Sequence, residues 1–259
     1  MDFNNWVPDV VTSDTHIGHK KLAFLRGFER DVDAMDAEII RLWNEAVPKK
    51  ARVLMLGDVF LCHPDRAKAV LESLNGEILL LMGNHDKLKF FKSFADRFVG
   101  ILDYKTFKIG ARDVAGEIEV FPFVASHYPM ASWDGMYKRA VMLHGHSHGG
   151  MDAIPNRYDV GIDIIRYEAG ERRYTMRGPY PMAEIVAKVR ADRTKEWNRL
   201  VSFAGAHFAL YKTAHQTYSE FITWLKTQTD RKILSVHLVD DAKYAIAGYS
   251  TDNVGEADA

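Results

Sequence analysis

The sequence lacks the features that mark secreted, membrane-spanning and strongly basic proteins. It has one cysteine, Cys62, in 259 residues, which excludes a disulfide framework and disfavours a cysteine-based zinc site. No apolar run approaches the length that crosses a bilayer. The first residues, MDFNNWVPDVVTSD, have neither the basic region nor the long apolar run of a signal peptide. The formal net charge is -1, so no overall positive field favours nucleic acid. We therefore expect a cytoplasmic protein.

The first third of the chain alternates predicted strands with predicted helices. Buried strands are expected at 7–13 and in RVLMLGD and EILLLMGNHD. A helix is expected in DVDAMDAEIIRLWNEAV, with Asp33 or Asp36 near its N-cap, and another in DRAKAVLESLNG, ending at Gly76. This alternation implies parallel strands joined by helical crossovers. In such sheets, sites form at the carboxyl ends of the strands.

The remainder of the chain predicts a second sheet and then a C-terminal extension. After a helical stretch in DKLKFFKSFADRF, strands are expected in DYKTFKI, IEVFPFVASH, AVMLHGH and RYDVGIDI, in a sheet of mixed direction. From about Met182 the pattern is mostly helical, followed by a hairpin around 240–241. We therefore predict a domain over 1–182 and an extension of helices and a β-hairpin over 183–259. Three roles are open for that extension: covering the site, dimerisation, or binding a partner.

Polar side chains follow five of the predicted strands, in DTH, GD, GNHD, SHYP and GHSH. One such fragment alone is more often an ordinary loop than a site, but five in succession favour a common centre. In extended chain, residues two apart point to the same side, so Asp14 and His16 converge, as do His146 and His148. The candidate metal ligands are Asp14, His16, Asp58, Asn84, His127, His146 and His148.

The number and type of these donors favour two ions over one. Mixed oxygen and nitrogen donors suit Mn²⁺, Fe, Zn²⁺, Co²⁺ or Ni²⁺ better than Mg²⁺ or Ca²⁺. Seven side chains are too many for one tetrahedral ion and suit two ions that share a carboxylate. Two ions roughly 3.5–4 Å apart form a clamp for in-line displacement at phosphorus, where they activate a bridging water.

The motif order D-x-H, G-D, G-N-H-D, H, G-H-x-H resembles the calcineurin-like metallophosphoesterase family, over roughly residues 7–165. It is similar in particular to small stand-alone bacterial and phage members that open with SDTHxGH. The resemblance implies an α/β fold: a four-layer αββα sandwich of two mixed β-sheets flanked by helices, with a two-metal site at one end. No ligand position is substituted, which argues against a metal-free version of this fold.

The resemblance also implies a role for each residue of the motif set. The first ion would be held by Asp14, His16 and His148, the second by Asn84, His127 and His146, and Asp58 would bridge the two. His85 would stand near the leaving group as general acid or transition-state stabiliser, and Asp86 would orient His85. The implied cofactors are two divalent transition-metal ions, with Mn²⁺ ahead of Fe, Zn²⁺, Ni²⁺ and Co²⁺.

The activity implied is hydrolysis of phosphate esters by a hydroxide that bridges the metals. We expect a phosphodiesterase acting on small nucleotide-type or cyclic-nucleotide esters. The alternatives are a phosphomonoesterase, a nuclease acting on DNA or RNA, and a non-catalytic binding protein with a vestigial site. Nucleic acid is not favoured as a partner, because the net charge is close to zero. Homo-oligomers through the C-terminal extension remain an open alternative.

Several further residues near the motifs have two readings each. His19 either contacts substrate phosphate, together with Asn84 and His85, or caps the next helix. Arg26 either attracts an anionic substrate or is simply solvated. We interpret His144 as a structural histidine within a strand, and His63 as part of a loop beside the rim of the site.

Overall fold

The computed structural model of the chain describes residues 3, 5–113, 116–195, 232–238 and 244–250. The chain divides into two compact units, Met1–Ala187 and Lys188–Ala259. The helices expected between 196 and 231 lie outside the described residues, as does the turn expected around 240–241. The predicted functional residues all belong to the first unit.

The first unit contains a five-stranded sheet built from the alternating first third of the chain. Its strands are β1 (Val10–Thr12), β2 (Arg52–Met55), β3 (Glu77–Leu81), β4 (Phe98–Leu102) and β11 (Tyr180–Pro181). The order is β11-β1-β2-β3-β4; the first four strands are parallel and β11 is antiparallel to β1. The parallel strands bring their carboxyl ends to one edge, where the predicted loops DTH, GD and GNHD begin.

Helices connect the parallel strands of this sheet. They are α1 (Lys20–Leu25), α2 (Val32–Ala46), α3 (Pro64–Ser73) and α4 (Leu88–Phe91), the last followed by a 3₁₀ helix over Lys92–Arg97. The apolar side chains Met35, Ile39 and Trp43 recur at helical spacing along α2 and are fully buried in the core.

Two helix boundaries differ from the sequence prediction. Asp31 caps α2 by accepting from Ala34 N at 3.0 Å, whereas Asp33 and Asp36 accept hydrogen bonds from Arg66. Asp33 thus lies in the first turn, near the N-cap as expected, but the capping residue itself is Asp31. Helix α3, which was predicted to end at Gly76, ends at Ser73.

A four-stranded sheet forms the other half of the first unit. Its strands are β5 (Tyr104–Arg112), β6 (Ile118–Ser126), β7 (Val141–His144) and β8 (Arg157–Asp159). Strands β5 and β6 are antiparallel, whereas β6, β7 and β8 are parallel. The prediction of an α/β fold with two mixed sheets and helices is thus confirmed.

The predicted strand RYDVGIDI is divided between two sheets. After β8 the chain leaves the second sheet; β9 (Asp163–Glu168) then pairs with β10 (Glu171–Met176) as a separate hairpin. In the segment between β8 and β9, Gly161 makes a parallel bridge to Ser13, the residue after β1. This bridge joins the ends of the two sheets beside the predicted loops.

Outside these two sheets, residues 182–195 form a helix. The second unit contains β12 (Lys232–Leu238), which is antiparallel to β13 (Tyr244–Ser250). Among the helices that the structure describes, none combines the length and apolar character that a bilayer crossing requires.

Candidate metal centre

The five predicted loops meet where the carboxyl ends of strands from both sheets come together. The loop after β1 is tied to the loop after β2, since Asp14 N donates to Gly57 O and His16 N to Asp58 O, each at 3.0 Å. The loop after β6 is tied to the loop after β7 through Gly145 N and His127 O, also at 3.0 Å. The loops from the two sheets are joined where His146 N donates to Asp14 Oδ2 at 2.9 Å.

Backbone strain is concentrated in these loops. Five of the ten non-glycine residues with positive φ among the described residues are candidate ligands: Asp14 (60°), His16 (48°), Asp58 (53°), His146 (67°) and His148 (47°). A left-handed conformation costs a non-glycine residue on the order of 1–3 kcal/mol and persists only where the surroundings impose it. The clustering of this strain on candidate ligands points to a functional site.

Two glycines allow the loops to approach one another this closely. A Cβ on Gly145 would overlap Ser13 Oγ and Asp14 Oδ2, and a Cβ on Gly83 would overlap the Asp58 carboxylate. Neither carboxylate can keep its place beside a larger residue. The glycines before Asn84 and His146 therefore serve close approach.

The first group of candidate ligands consists of Asp14, His16 and His148. Their donor atoms lie within 4.8 Å of one another. Asp14 Oδ1 is 3.7 Å from His16 Nε2 and 3.9 Å from His148 Nε2. Donors that share an ion at about 2.1 Å lie roughly 3–4.2 Å apart. Asp14 and His16 are buried, yet Asp14 Oδ1 and both ring nitrogens of His16 make no hydrogen bond. Buried donors left in this state fit a cation.

Burial and neighbouring charges favour the metal-binding forms of Asp14 and His16, but they shift His148 the other way. Burial lowers the pKa of His16, which favours the neutral imidazole. Burial alone would raise the pKa of Asp14, but the neighbouring imidazoles of His16 and His148 outweigh it and lower that pKa. Burial alone would lower the pKa of His148, but the carboxylates of Asp163 and Asp14 outweigh it and raise that pKa.

The second group consists of Asp58, His127 and His146, with Asn84 beside them. The three titratable side chains place donor atoms within 4.8 Å of one another. Asn84 Oδ1 lies 2.9 Å from His127 Nε2 and 2.8 Å from His146 Nδ1. His127 Nδ1 donates to Leu56 O at 2.7 Å, which leaves its Nε2 as an acceptor facing other acceptors. A cation among these atoms relieves that opposition, so this group also fits a metal.

Asp58 lies between the two groups. Its Oδ1 accepts from His85 N at 2.8 Å, which fixes the carboxylate. Its Oδ2 is 3.6 Å from His16 Nε2 in the first group and 3.5 Å from His127 Nε2 in the second. One oxygen is therefore within reach of ions in either group.

His85 lies at the open side of the centre, whereas Asp86 is occupied elsewhere. The His85 side chain is 46% exposed, and its Nε2 is 4.0 Å from Asp58 Oδ2. The Asp86 carboxylate accepts from the backbone N–H groups of Asp58, Val59 and Gly83 at 2.7–3.1 Å. The expectation that Asp86 orients the His85 ring is thus corrected, because its oxygens clamp the two loops together through backbone groups.

Asp163 is a residue of the centre that the sequence analysis missed. Its Oδ2 accepts from His148 Nδ1 at 2.6 Å, and Arg26 donates to both of its oxygens at 2.8 and 2.9 Å. Burial alone would raise the pKa of Asp163, but Arg26 and His148 outweigh it and lower the pKa to about 2. Arg26 is buried, so it is neither solvated nor open to substrate. No motif surrounds either residue, and 137 positions separate them.

Each of the ambiguous histidines has a structural partner in the fold. His19 caps α1, where its Nδ1 accepts from Leu22 N at 3.0 Å, and its ring lies 5.6 Å from that of His16. His144 is buried in β7, and its Nδ1 donates to Gly145 O at 2.8 Å, which is consistent with a structural histidine. His63 is exposed and caps α3, with Nδ1 3.2 Å from an oxygen of Asp65.

Two adjoining groups of oxygen and imidazole ligands, at the end of two mixed sheets, describe a candidate centre for metal-dependent hydrolysis. The model of the calcineurin-like phosphoesterase family matches residues 10–174, which is more than half of the chain. The chain belongs to the calcineurin-like phosphoesterase family. Its members act on phosphate esters with divalent metals, which fits the two ligand groups.

Individual relatives have low sequence identity to this chain, but each match spans most of the relative's length. A protein of Methanocaldococcus jannaschii is 29% identical over 169 residues, covering 61% of this chain and 83% of that protein. The Gene 66 proteins of Mycobacterium phages L5 and D29 are 29% and 30% identical, covering 57% and 59% of this chain and 79% and 86% of theirs. A solved structure from Aquifex aeolicus is 20% identical with a TM-score of 0.42, covering 59% of this chain and 89% of that one.

Proposed function

We propose that this chain is a phosphodiesterase that uses two divalent metal ions to hydrolyse small, nucleotide-like phosphate esters. The observation that supports this most directly is the position of Asp58 Oδ2, at 3.6 Å from His16 Nε2 and 3.5 Å from His127 Nε2. A carboxylate oxygen within reach of two donor groups suits a pair of ions with a common ligand.

The chain's own residues would hold the ions and position the ester. Asp14, His16 and His148 would bind one ion, Asn84, His127 and His146 the other, and Asp58 both. Each group mixes oxygen with imidazole nitrogen, which suits a transition-metal ion, and among these we propose Mn²⁺. When bound, the two ions supply Lewis acidity that activates a water molecule and neutralises charge on the phosphate.

His85 is the proposed general acid. Its exposed ring lies beside Asp58, and its backbone N–H is fixed on the Asp58 carboxylate. As the bond from phosphorus to the ester oxygen breaks, His85 would donate a ring proton to the leaving alkoxide. An alkoxide is a poor leaving group without that proton, in monoesters and diesters alike. The preference for a diester rests on analogy with the family.

His19 is proposed to contact the phosphate while it caps α1. Its Nδ1 accepts from Leu22 N, so the neutral ring carries its proton on Nε2 and can donate it to a phosphate oxygen. Asn84, exposed beside the second group, is a further proposed substrate contact. His19→Asn retains a capping side chain and removes the Nε2 donor. We expect a higher KM with little change in Tm; an unchanged KM would leave His19 as a cap alone.

The test of the proposed function is a substrate comparison on the purified full chain with Mn²⁺. Rates would be measured on bis-p-nitrophenyl phosphate, p-nitrophenyl phosphate and labelled DNA. We expect the diester to be cleaved with a higher kcat/KM than the monoester, and DNA to be left intact. Faster monoester cleavage would make the chain a phosphomonoesterase, and salt-sensitive DNA cleavage would make it a nuclease.

Variants separate catalysis by this centre from contamination. His85→Ala should lower kcat by roughly 10²–10⁴-fold on a diester with an alkoxide leaving group, such as a cyclic nucleotide, since that is the usual contribution of a positioned acid. The loss should be smaller on bis-p-nitrophenyl phosphate, whose p-nitrophenolate leaves without a proton. Asp58→Asn should remove most turnover, because the amide replaces the shared carboxylate oxygen. Asp9→Asn, a matched change at the opposite end of β1, should retain full activity. Equal activity in all three variants would refute the assignment.

A further inference from the structure

Arg26 and Asp163 form a buried ion pair against the first group. Both side chains are fully buried, and Arg26 donates from Nε and Nη2 to the two carboxylate oxygens at 2.8 and 2.9 Å. Arg26 comes from the end of α1 and Asp163 from the start of β9. Burying two charges costs several kcal/mol of solvation per ion, and an apolar pair in their place is often no less stable. Fold stability alone is a weak reason for this pair.

Apart from a contact of Arg26 Nη1 with Met35 Sδ at 3.6 Å, the remaining side-chain hydrogen bonds of the pair lead to the first group. Arg26 Nη2 donates to Asp14 O at 2.9 Å, and Nη1 to Thr15 O at 2.8 Å, so it grips the strained backbone that carries Asp14 and His16. Asp163 Oδ2 accepts from His148 Nδ1 at 2.6 Å. One buried pair thereby contacts the segment or side chain of every ligand in the first group.

The contact with His148 also determines which ring nitrogen is available to a metal. A carboxylate held at both oxygens by a guanidinium accepts hydrogen bonds, so Nδ1 of His148 is the donor and Nε2 keeps its lone pair. That Nε2 faces Asp14 Oδ1 at 3.9 Å. In the second group, Leu56 O plays the corresponding part for His127, but through an uncharged backbone carbonyl.

We propose that Arg26 and Asp163 are positioning residues that fix His148 and the Asp14–His16 segment for metal binding, and that they act on the first group alone. The inference rests on the proposed two-ion function. The two groups differ in what holds their histidines: the Asp163 carboxylate accepts from His148 in the first group, whereas the Leu56 carbonyl accepts from His127 in the second.

The experiment is calorimetric titration of the metal-free full chain with Mn²⁺, comparing the wild type with Asp163→Asn. We expect two binding events in the wild type. In Asp163→Asn one event should weaken by about 10–100-fold, the usual effect of removing a hydrogen-bond partner from a ligating histidine, while the other is unchanged. Asp159→Asn is the matched control, since Asp159 supports the same loop through Ser147 Oγ and Gly149 N but does not touch the His148 ring.

Each outcome of the titration decides between the inference and its alternatives. Two unchanged events in Asp163→Asn overturn it, as does an equal loss in Asp159→Asn, which would reveal a general loosening of the loop. A wild type that binds no Mn²⁺ removes the proposed two-ion function and this inference with it. Turnover is not needed for the readout, so failure on a given substrate leaves the result intact.

Two further measurements cover the case in which Asp163→Asn does not fold because Arg26 is left buried and unpaired. The double variant Arg26→Met/Asp163→Asn removes both charges and should show the same selective weakening. In the ¹⁵N spectrum of the Zn²⁺-loaded wild type, the His148 ring should carry its proton on Nδ1. A proton on Nε2 would contradict the proposal, and this measurement needs neither variant.

Discussion

The absence of a Cβ at Gly145 allows the loop after β7 to pack against the loop after β1. A Cβ there would overlap Ser13 Oγ and Asp14 Oδ2, both of which are buried. We expect Gly145→Ala to lower the free energy of unfolding by about 1–3 kcal/mol, the usual cost of overpacking. It should also weaken Mn²⁺ binding, because Asp14 has to move. Urea unfolding and calorimetry would measure the two effects.

The control for this substitution is Gly110→Ala on β5. The added Cβ would lie 3.3 Å from Ile118 Cγ2, on a side chain that is 63% exposed and has room to give by a few tenths of an ångström. Replacing glycine in a strand interior gains about 0.5–1 kcal/mol from reduced entropy of the unfolded chain. We therefore expect unchanged or slightly higher stability and unchanged Mn²⁺ binding. Equal losses in both alanine variants would argue against the close approach at Gly145.

Residues with a motif around them could be assigned from the sequence, and those without could not. The seven candidate ligands are recognisable because spacing, order and preceding β-like runs coincide. Asp163 is a lone acid in a strand-like stretch, and its relation to Arg26 exists only once α1 and β9 are packed together. For Asp86 the motif predicted importance, but which atoms it would contact depended on how two loops meet.

Trp43 is the largest of the side chains that helix α2 buries in the core. Trp43 is 2% exposed, and its Nε1 donates to Asn75 O at 2.9 Å. Trp43→Ala should cost about 3–5 kcal/mol of unfolding free energy, as large-to-small aromatic changes in cores do. Affinity for Mn²⁺ in the fraction that remains folded should be unchanged, because the residue lies in the apolar core. If the folded variant no longer bound Mn²⁺, the claim that Trp43 affects stability but not the metal centre would be contradicted.

The amino-terminal ends of β1 and β2 are joined by an ion pair that makes stability depend on pH. Arg52 donates to Asp9 through Nη2 at 3.1 Å and through its backbone N at 2.9 Å, and these bonds lower the pKa of Asp9. A carboxyl whose pKa is lower in the folded state stabilises the fold above its unfolded pKa, about 3.9, and loses that contribution as pH falls through the folded value.

Asp9→Asn should therefore be less stable than the wild type at pH 7, and the difference should shrink as pH falls below 4. Both side chains are more than one third exposed, so we expect at most about 1 kcal/mol at pH 7. Urea unfolding of both proteins across pH 2.5–7 would measure it. A difference that stays constant over that range would exclude the ionised carboxylate as its source.

Elements with a clear period could be predicted, and those set by distant contacts could not. The apolar spacing in α2 and the continuous apolar runs of β2 and β3 identify them without tertiary information. By contrast, RYDVGIDI reads as one strand, yet Gly161 pairs with Ser13 and divides it into β8 and β9. That bridge joins residues almost 150 positions apart, and no local pattern encodes it.

At the scale of the molecule, the ligand groups lie where the two sheets meet, so ion binding should stabilise the whole first unit. Anything that binds only the folded state adds RT ln(1 + [L]/Kd), about 2.7 kcal/mol at 100 times Kd. We expect Mn²⁺ to raise the Tm of the wild type by several degrees and chelation to reverse the rise. Asp58→Asn should respond less, and an equal response would locate the binding elsewhere.

The architecture as a whole was predictable through the motif order more than through composition. The alternating first third implied a parallel sheet and the later strands a second sheet of mixed direction, but neither pattern said how the two sheets pack. The family pattern supplied the layered arrangement, and the structure contains a five-stranded and a four-stranded mixed sheet. The first unit, over 1–187, contains every motif residue.

The central claim is that two ions share Asp58 between the first and second groups. Anomalous diffraction from a crystal of the Mn²⁺-loaded wild type tests it most directly, because it locates each ion without reference to activity. We predict two peaks roughly 3.5–4 Å apart, one on either side of Asp58 Oδ2. A single peak, or two peaks of which neither contacts Asp58, would contradict the claim.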